Sequence, residues 1–131
     1  MITSNPISFP KISVCIATYN GEKYILEQLI SILKQLSLDD EIIISDDGSS
    51  DRTIEIVKSL SDNRIKLFYN QTERGYTNNF QNALKNSSGE IIFLSDQDDV
   101  WLKGKVETCL SILKNYDFVV TDAIVVDSYK N

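Results

Sequence analysis

Apolar residues along this chain fall alternately into short unbroken runs and helically spaced stripes, separated by polar loops. "ISVCIATYN" predicts a strand from Ile12 to Ala17 that ends in a polar loop. Between Lys23 and Leu36, Leu26, Leu29, Ile30 and Leu33 follow the i, i+3, i+4, i+7 spacing of one helical face. "EIIIS", Glu41 to Ser45, is a short, almost wholly apolar strand, as expected of a strand covered on both faces. "DDGSSDRT" comes next, with Ser50 or Asp51 as cap for a helix carrying Ile54, Val57 and Leu60. A third strand spans Arg64 to Asn70. "TNNFQNALKNSSG" then predicts a short helix through Phe80, Ala83 and Leu84, stopped at Gly89. "EIIFLS" is a fourth strand. Val106, Cys109, Leu110 and Leu113 return to helical spacing, and "YDFVVTDAIVVD", its apolar run broken by Asp122, supplies one or two closing strands.

Alternating strands and helices predict one α/β domain over residues 1–131, with a mainly parallel sheet and helices on both faces. Ligands bind such sheets beyond the carboxyl ends of the strands. Polar clusters fall there three times: "TYNGE" after the first strand, "DDGSSD" after the second and "DQDD" after the fourth.

Composition narrows the chemistry. With 19 Asp and Glu against 13 Lys and Arg, the chain lacks the basic stripe that nucleic-acid binding needs. It has no His, so a bound metal is expected to be a hard, oxygen-held ion. Cys15 and Cys109 have neither metal spacing nor a disulfide framework and are expected as buried, reduced core residues. No apolar run approaches the ~20 residues of a membrane span, and "MITSNPISFP" lacks the parts of a signal peptide. The expected location is cytoplasmic, or peripheral at the inner face of the membrane.

Asp96, Asp98 and Asp99 crowd the end of an apolar strand. Two carboxylates about 4 Å apart repel by roughly 4 kcal/mol even at an effective dielectric near 20. The cluster must be solvated, protonated or bound to a cation, and a divalent oxygen-liking ion fits it; an acidic turn with one Asp as a helix cap is the plainer reading. Asp46 and Asp47 end the second strand, where a carboxylate can accept a hydrogen bond from a base or ribose. Ser49 and Asp51 are turn chemistry. Tyr19 offers a ring for stacking or packing, Trp101 packs over the sheet edge or reaches a ligand, and Arg74, Lys103 and Lys105 are either solvated or face a diphosphate.

"VCIATYNGEKYILEQLISIL", "EIIISDDGSSDRT" and "GEIIFLSDQDDVWLKGKVE", in this order and spacing, resemble the nucleotide-binding half of an inverting glycosyltransferase of family 2. "TNNF" with "DQDDVW" is also similar to a subgroup described as rhamnosyltransferase-like. The resemblance implies the GT-A fold, a Rossmann-like nucleotide-binding half. It implies a UDP- or dTDP-sugar donor, Mg²⁺ or Mn²⁺, and a saccharide or lipid-linked saccharide acceptor in cell-surface polysaccharide synthesis. By the same resemblance Tyr19 stacks on the base, Thr18 lines its pocket and Glu22 lies just beyond. Asp47 accepts the base N3–H, with Asp46 supporting it. Asp96, Gln97 and Asp98 form the D-x-D element beside Asp99; these acids bind the ribose and the metal, with Asp98 or Asp99 the expected metal ligand.

Family members run on for roughly another 100 residues, within the usual domain range. The acceptor half and the carboxylate general base are therefore expected beyond Asn131, with the sheet edge past Val126 left open to self-association. Two other readings are a phosphatase of the haloacid dehalogenase type, with Asp96 as nucleophile, and a non-catalytic receiver-like module. The phosphatase reading leaves "TYN" and "DDGSSD" unexplained, and the receiver-like reading lacks a Lys at a suitably spaced late strand ending.

Overall fold

The computed structural model describes residues 10–116. Strands and helices alternate as β1 (Ile12–Thr18), α1 (Ile25–Leu33), β2 (Glu41–Asp46), α2 (Thr53–Ser59), β3 (Ile65–Tyr69), α3 (Tyr76–Lys85), β4 (Ile91–Asp96) and α4 (Lys105–Leu113). The strands form one sheet in the order β3-β2-β1-β4, and every pairing is parallel. The chain steps outward from β1 through β2 to β3, then returns to the other side of β1. The direction reverses between β1 and β4, which makes their carboxyl ends the place for a ligand. The expected closing strands and the edge beyond Val126 fall on residues 117–131, outside the described residues.

All of β1 and β2 is buried, as their continuous apolar runs require. On one face Ile12, Val14, Ile16, Ile42 and Ile44 meet α1, α2 and α4 through Leu29, Val57 and Val106. On the other, Cys15 and Ile43 meet Ala83 of α3. Burial pushes the Cys15 thiol up to about 11, so it stays a thiol at neutral pH. Cys109 is buried and free as well. Helix α3 packs chiefly across β1 and β2, and among the described residues none of its length covers Ile92 and Leu94 of β4, which are exposed on the same face.

The helix expected between Lys23 and Leu36 is shorter and turned about its axis. Its buried face is Ile25, Gln28, Leu29 and Ile32, while Leu26 and Ile30 are exposed. "ILEQLISIL" is apolar on nearly every side, so two frames satisfy the same spacing. Gln28 decides between them because its amide has partners on β4, described below. Gly89 also has a role other than the one expected. Helix α3 already ends at Lys85 with Asn86 as its cap. Gly89 instead lies against β1, where a Cβ would come within 2.7 Å of the Ser13 backbone nitrogen.

Candidate functional site

The loops after β1 and β2 are laced together by side chains bonding to backbone. Asn20 N–H donates to Ser49 Oγ (2.8 Å), and Ser50 N–H donates to Asn20 Oδ1 (2.8 Å). Gly21 N–H reaches Thr53 Oγ1 (2.8 Å), and Glu22 N–H reaches Asp51 (3.1 Å). Asp51 also accepts from Thr53 N–H (2.9 Å), forming the turn that opens α2. Glu22 is spent on this lacing: its carboxylate accepts Arg52 N–H (3.1 Å), and it does not line the cleft described below.

Asp46 is 1% exposed. One oxygen accepts the Thr18 and Ser49 hydroxyls (both 2.6 Å), and the other accepts the backbone N–H groups of Gly48 and Ser49 (2.9 and 2.7 Å). Its role is to hold the turn, and direct contact with a ligand is closed to it in this arrangement. The Thr18 side chain is committed to the same network, while its carbonyl accepts Asp47 N–H (3.0 Å) and Asn79 Nδ2 (3.1 Å). Asp47 stands half-buried beside them. It accepts Asn70 Nδ2 (2.8 Å) on one oxygen and Gly75 N–H (2.9 Å) on the other, and keeps further lone pairs for a ligand.

The acidic turn after β4 is fixed from below and from both sides. Gln28 Nε2 donates to Ser95 Oγ (2.9 Å) and to the Asp96 carbonyl. The Trp101 indole also donates to Ser95 Oγ (3.1 Å), and Trp101 N–H donates to Ser31 Oγ (2.9 Å). Trp101 is 4% exposed with its ring centroid 5.2 Å from that of Phe93, so it packs in the core. From one side the Tyr76 hydroxyl donates to Asp96 Oδ1 (2.6 Å). That bond, burial and the surrounding carboxylates push the phenol up to about 12, so it remains a donor at neutral pH. From the other side Gln97 grips the backbone of Tyr19.

Within the turn, Asp99 folds back to accept Asp96 N–H (3.2 Å). Burial first, then the charges of Asp96 and Asp98, raises its carboxyl above the usual range. Asp98 is exposed and accepts no hydrogen bond among the described residues.

These pieces enclose a cleft of about 350 Å³ with Thr18, Tyr19, Asp47, Tyr76, Asp96 and Asp98 on its walls. That is the lower end of the range for small-molecule sites. Arg74 stands over Tyr19, its guanidinium 5.3 Å from the ring centroid, and donates to the carbonyls of Asp47 (3.1 Å) and Gly48 (3.3 Å). Lys105 lies over Trp101 instead, and Lys103 is exposed. Another concavity, around Lys58, Asp62 and Ile65, lies at the amino end of β3, where Asp62 is already paired with Arg64.

No three acids among the described residues converge as a ready-made metal site. Asp96, Asp98 and Asp99 offer only carboxylate oxygens, a donor set that suits a hard cation completed by further ligands.

Sequence reasoning passed over Gln28, Asn70 and Tyr76. Gln28 had a signal: it is a polar residue in register with Ile25, Leu29 and Ile32 on a buried helical face. Asn70 and Tyr76 had none, because their partners, Asp47 and Asp96, lie 23 and 20 positions away.

The family described as Glycosyl transferase family 2 matches residues 13–131. The chain belongs to that family. Among curated relatives, an Escherichia coli UDP-Glc:α-D-GlcNAc-diphosphoundecaprenol β-1,3-glucosyltransferase is 34% identical, over 87% of this chain and 49% of its own length. A Campylobacter jejuni GalNAc(5)-diNAcBac-PP-undecaprenol β-1,3-glucosyltransferase is 40% identical, over 77% of this chain and 34% of its own. The chain thus spans about half of the first relative and about a third of the second. Among solved structures, S. aureus TarS 1-349 in complex with UDP has a TM-score of 0.72 at 32% identity, covering 82% of this chain and 33% of that one. A mannosyltransferase from Pyrobaculum calidifontis, solved with GDP-Man and Mn²⁺, has a TM-score of 0.74 at 24% identity, covering 87% and 35%, and shows the shared fold. The α/β sheet is therefore that of the GT-A glycosyltransferases, and family 2 membership sets aside the phosphatase and receiver-like readings. Among the described residues no helix is long and apolar enough to cross a membrane.

Proposed function

We propose that this chain is the donor-binding part of a family 2 enzyme that transfers a sugar from a UDP- or dTDP-sugar, held with Mg²⁺ or Mn²⁺, to a saccharide or lipid-linked saccharide acceptor. The observation that carries this reading is the convergence of Tyr19, Asp47 and the Asp96–Asp98 turn on one cleft between β1, β2 and β4. TarS supports UDP as the nucleotide, and the two undecaprenol-linked relatives support a lipid-linked acceptor.

Each residue has a defined task. Tyr19 presents a half-exposed ring for the base. Asp47 accepts the N3–H that uracil and thymine both carry. Asp96, steadied by Tyr76, faces the ribose. Asp98 and Asp99 would hold the metal: Asp98 accepts no hydrogen bond among the described residues, and a cation would offset the charges of Asp96 and Asp98 that act on Asp99. When bound, the metal supplies Lewis-acid stabilisation of the charge displaced onto the leaving diphosphate.

Calorimetric titration tests the reading. UDP and dTDP should bind in Mg²⁺ or Mn²⁺ and at least tenfold more weakly in chelator. CDP should bind poorly, because cytosine N3 carries no hydrogen and faces the Asp47 carboxylate. Identical curves with and without metal would refute the metal's part, and equal binding of CDP would refute the base pocket.

Asp47→Asn should weaken UDP by roughly 1.5–3 kcal/mol, about tenfold or more. Asparagine has one acceptor oxygen where Asp47 uses two, so its amide group must also face Asn70 or Gly75 as donor against donor. An unchanged dissociation constant would place the base elsewhere.

A further inference from the structure

Gln97, the middle residue of the D-x-D element, joins the two halves of the cleft. The backbone ladder between β1 and β4 ends at the pair Ala17 and Asp96. Beyond it the connection passes to one side chain. Gln97 Oε1 accepts Tyr19 N–H (2.8 Å), and Gln97 Nε2 donates to the Tyr19 carbonyl (3.0 Å). Both polar ends of the amide are thus used on the same residue. A carboxylate would lose the donor and face the Tyr19 carbonyl with its charge, and a shorter amide would not keep the same reach.

The two ends of this link bear different parts of the proposed donor. Tyr19 carries the ring for the base, and Asp96 and Asp98 flank Gln97 on the side of the ribose and metal. Neither can shift relative to the other without breaking two hydrogen bonds. The loop leaves room for the amide: a Cβ on Gly21 would lie 2.5 Å from Gln97 Oε1 and 2.8 Å from its Cδ. Glycine at position 21 is what admits the link.

We infer that Gln97 is a positioning residue that couples the base pocket to the acidic turn, so that nucleotide and metal bind cooperatively. The inference rests on the donor-binding reading above. Its physical basis is general: a base that orders Tyr19 also orders the turn through Gln97, and a metal that orders the turn returns the same free energy to the base.

The experiment compares UDP dissociation constants with saturating Mg²⁺ and with chelator, for the wild-type chain, Gln97→Ala and Gly21→Ala. Gly21→Ala keeps every atom of the acidic turn and displaces only the flexible end of the Gln97 side chain. The wild-type ratio of the two constants should fall at least fivefold in both variants, inside the usual scale of coupling between sites. Circular dichroism reports whether each variant is folded. A ratio unchanged in a folded variant, or a proportional loss of affinity in both conditions, would overturn the coupling and leave donor binding intact. A wild-type chain that binds no UDP in metal would overturn the donor-binding reading, and this inference with it.

Discussion

Replacing Asp46 by alanine should cost the fold about 3–4 kcal/mol and lower the melting temperature by roughly 10–20 °C. The residue accepts four hydrogen bonds, two from hydroxyls and two from backbone N–H groups, and is almost fully buried. Among the described residues it forms no ion pair with Lys or Arg, so oriented donors alone hold its carboxylate. Alanine strands the N–H groups of Gly48 and Ser49 and the Thr18 hydroxyl at the floor of the cleft. Asp46→Asn keeps one acceptor oxygen but turns an NH₂ group toward other donors, and should cost about half as much. Thermal unfolding followed by circular dichroism checks both values. A shift of under about 3 °C for the alanine variant would show that the turn does not depend on this carboxylate.

The other end of β2 carries the second large effect. Glu41 is 2% exposed and touches Ser13 Oγ (2.6 Å), Lys66 Nζ (2.9 Å), Lys11 Nζ (3.4 Å) and Ser88 N–H (2.7 Å). Burial alone would push its carboxyl up, yet the hydrogen bonds from Ser13, Lys66 and Ser88 together pull it down to about 2 from an ordinary 4.5. The folded value lies below the unfolded one. Its contribution is therefore fully present above about pH 4.5 and is lost as pH falls toward 2. The loss amounts to about 3 kcal/mol. Urea unfolding across that window should show Glu41→Gln less stable than wild type at neutral pH, with a flatter decline below 4.5. Parallel declines in the two proteins would contradict the assignment.

Much of this architecture was legible in the residues. The unbroken runs of β1 and β2 marked strands buried on both faces, and the polar loops that follow them supply Tyr19 and Asp47 to the cleft. The frame of α1 was not legible, because a helix apolar on most sides gives no single stripe; its register depends on the long-range bonds of Gln28 to Ser95 and Asp96. Asp46 and Asp47 are adjacent and chemically identical, yet one is turned into a hydrogen-bonded turn and the other toward the cleft. Strand alternation separates them only once the sheet's covered faces are known. Glu22 was expected near the nucleotide and instead meets the start of α2 through Arg52 N–H, a partner thirty positions away that no local pattern announces.

A uridine or thymidine diphosphate is expected to occupy the cleft at the carboxyl ends of β1, β2 and β4. Amide chemical-shift mapping of the ¹⁵N-labelled chain with UDP and Mg²⁺ tests it most directly. The largest shifts should fall on Tyr19, Asp47, Gly48, Tyr76 and the Asp96–Asp98 turn, with little change from Lys58 to Asn63 at the amino end of β3. Shifts centred on Lys58 to Asn63, or none at saturating UDP, would contradict it.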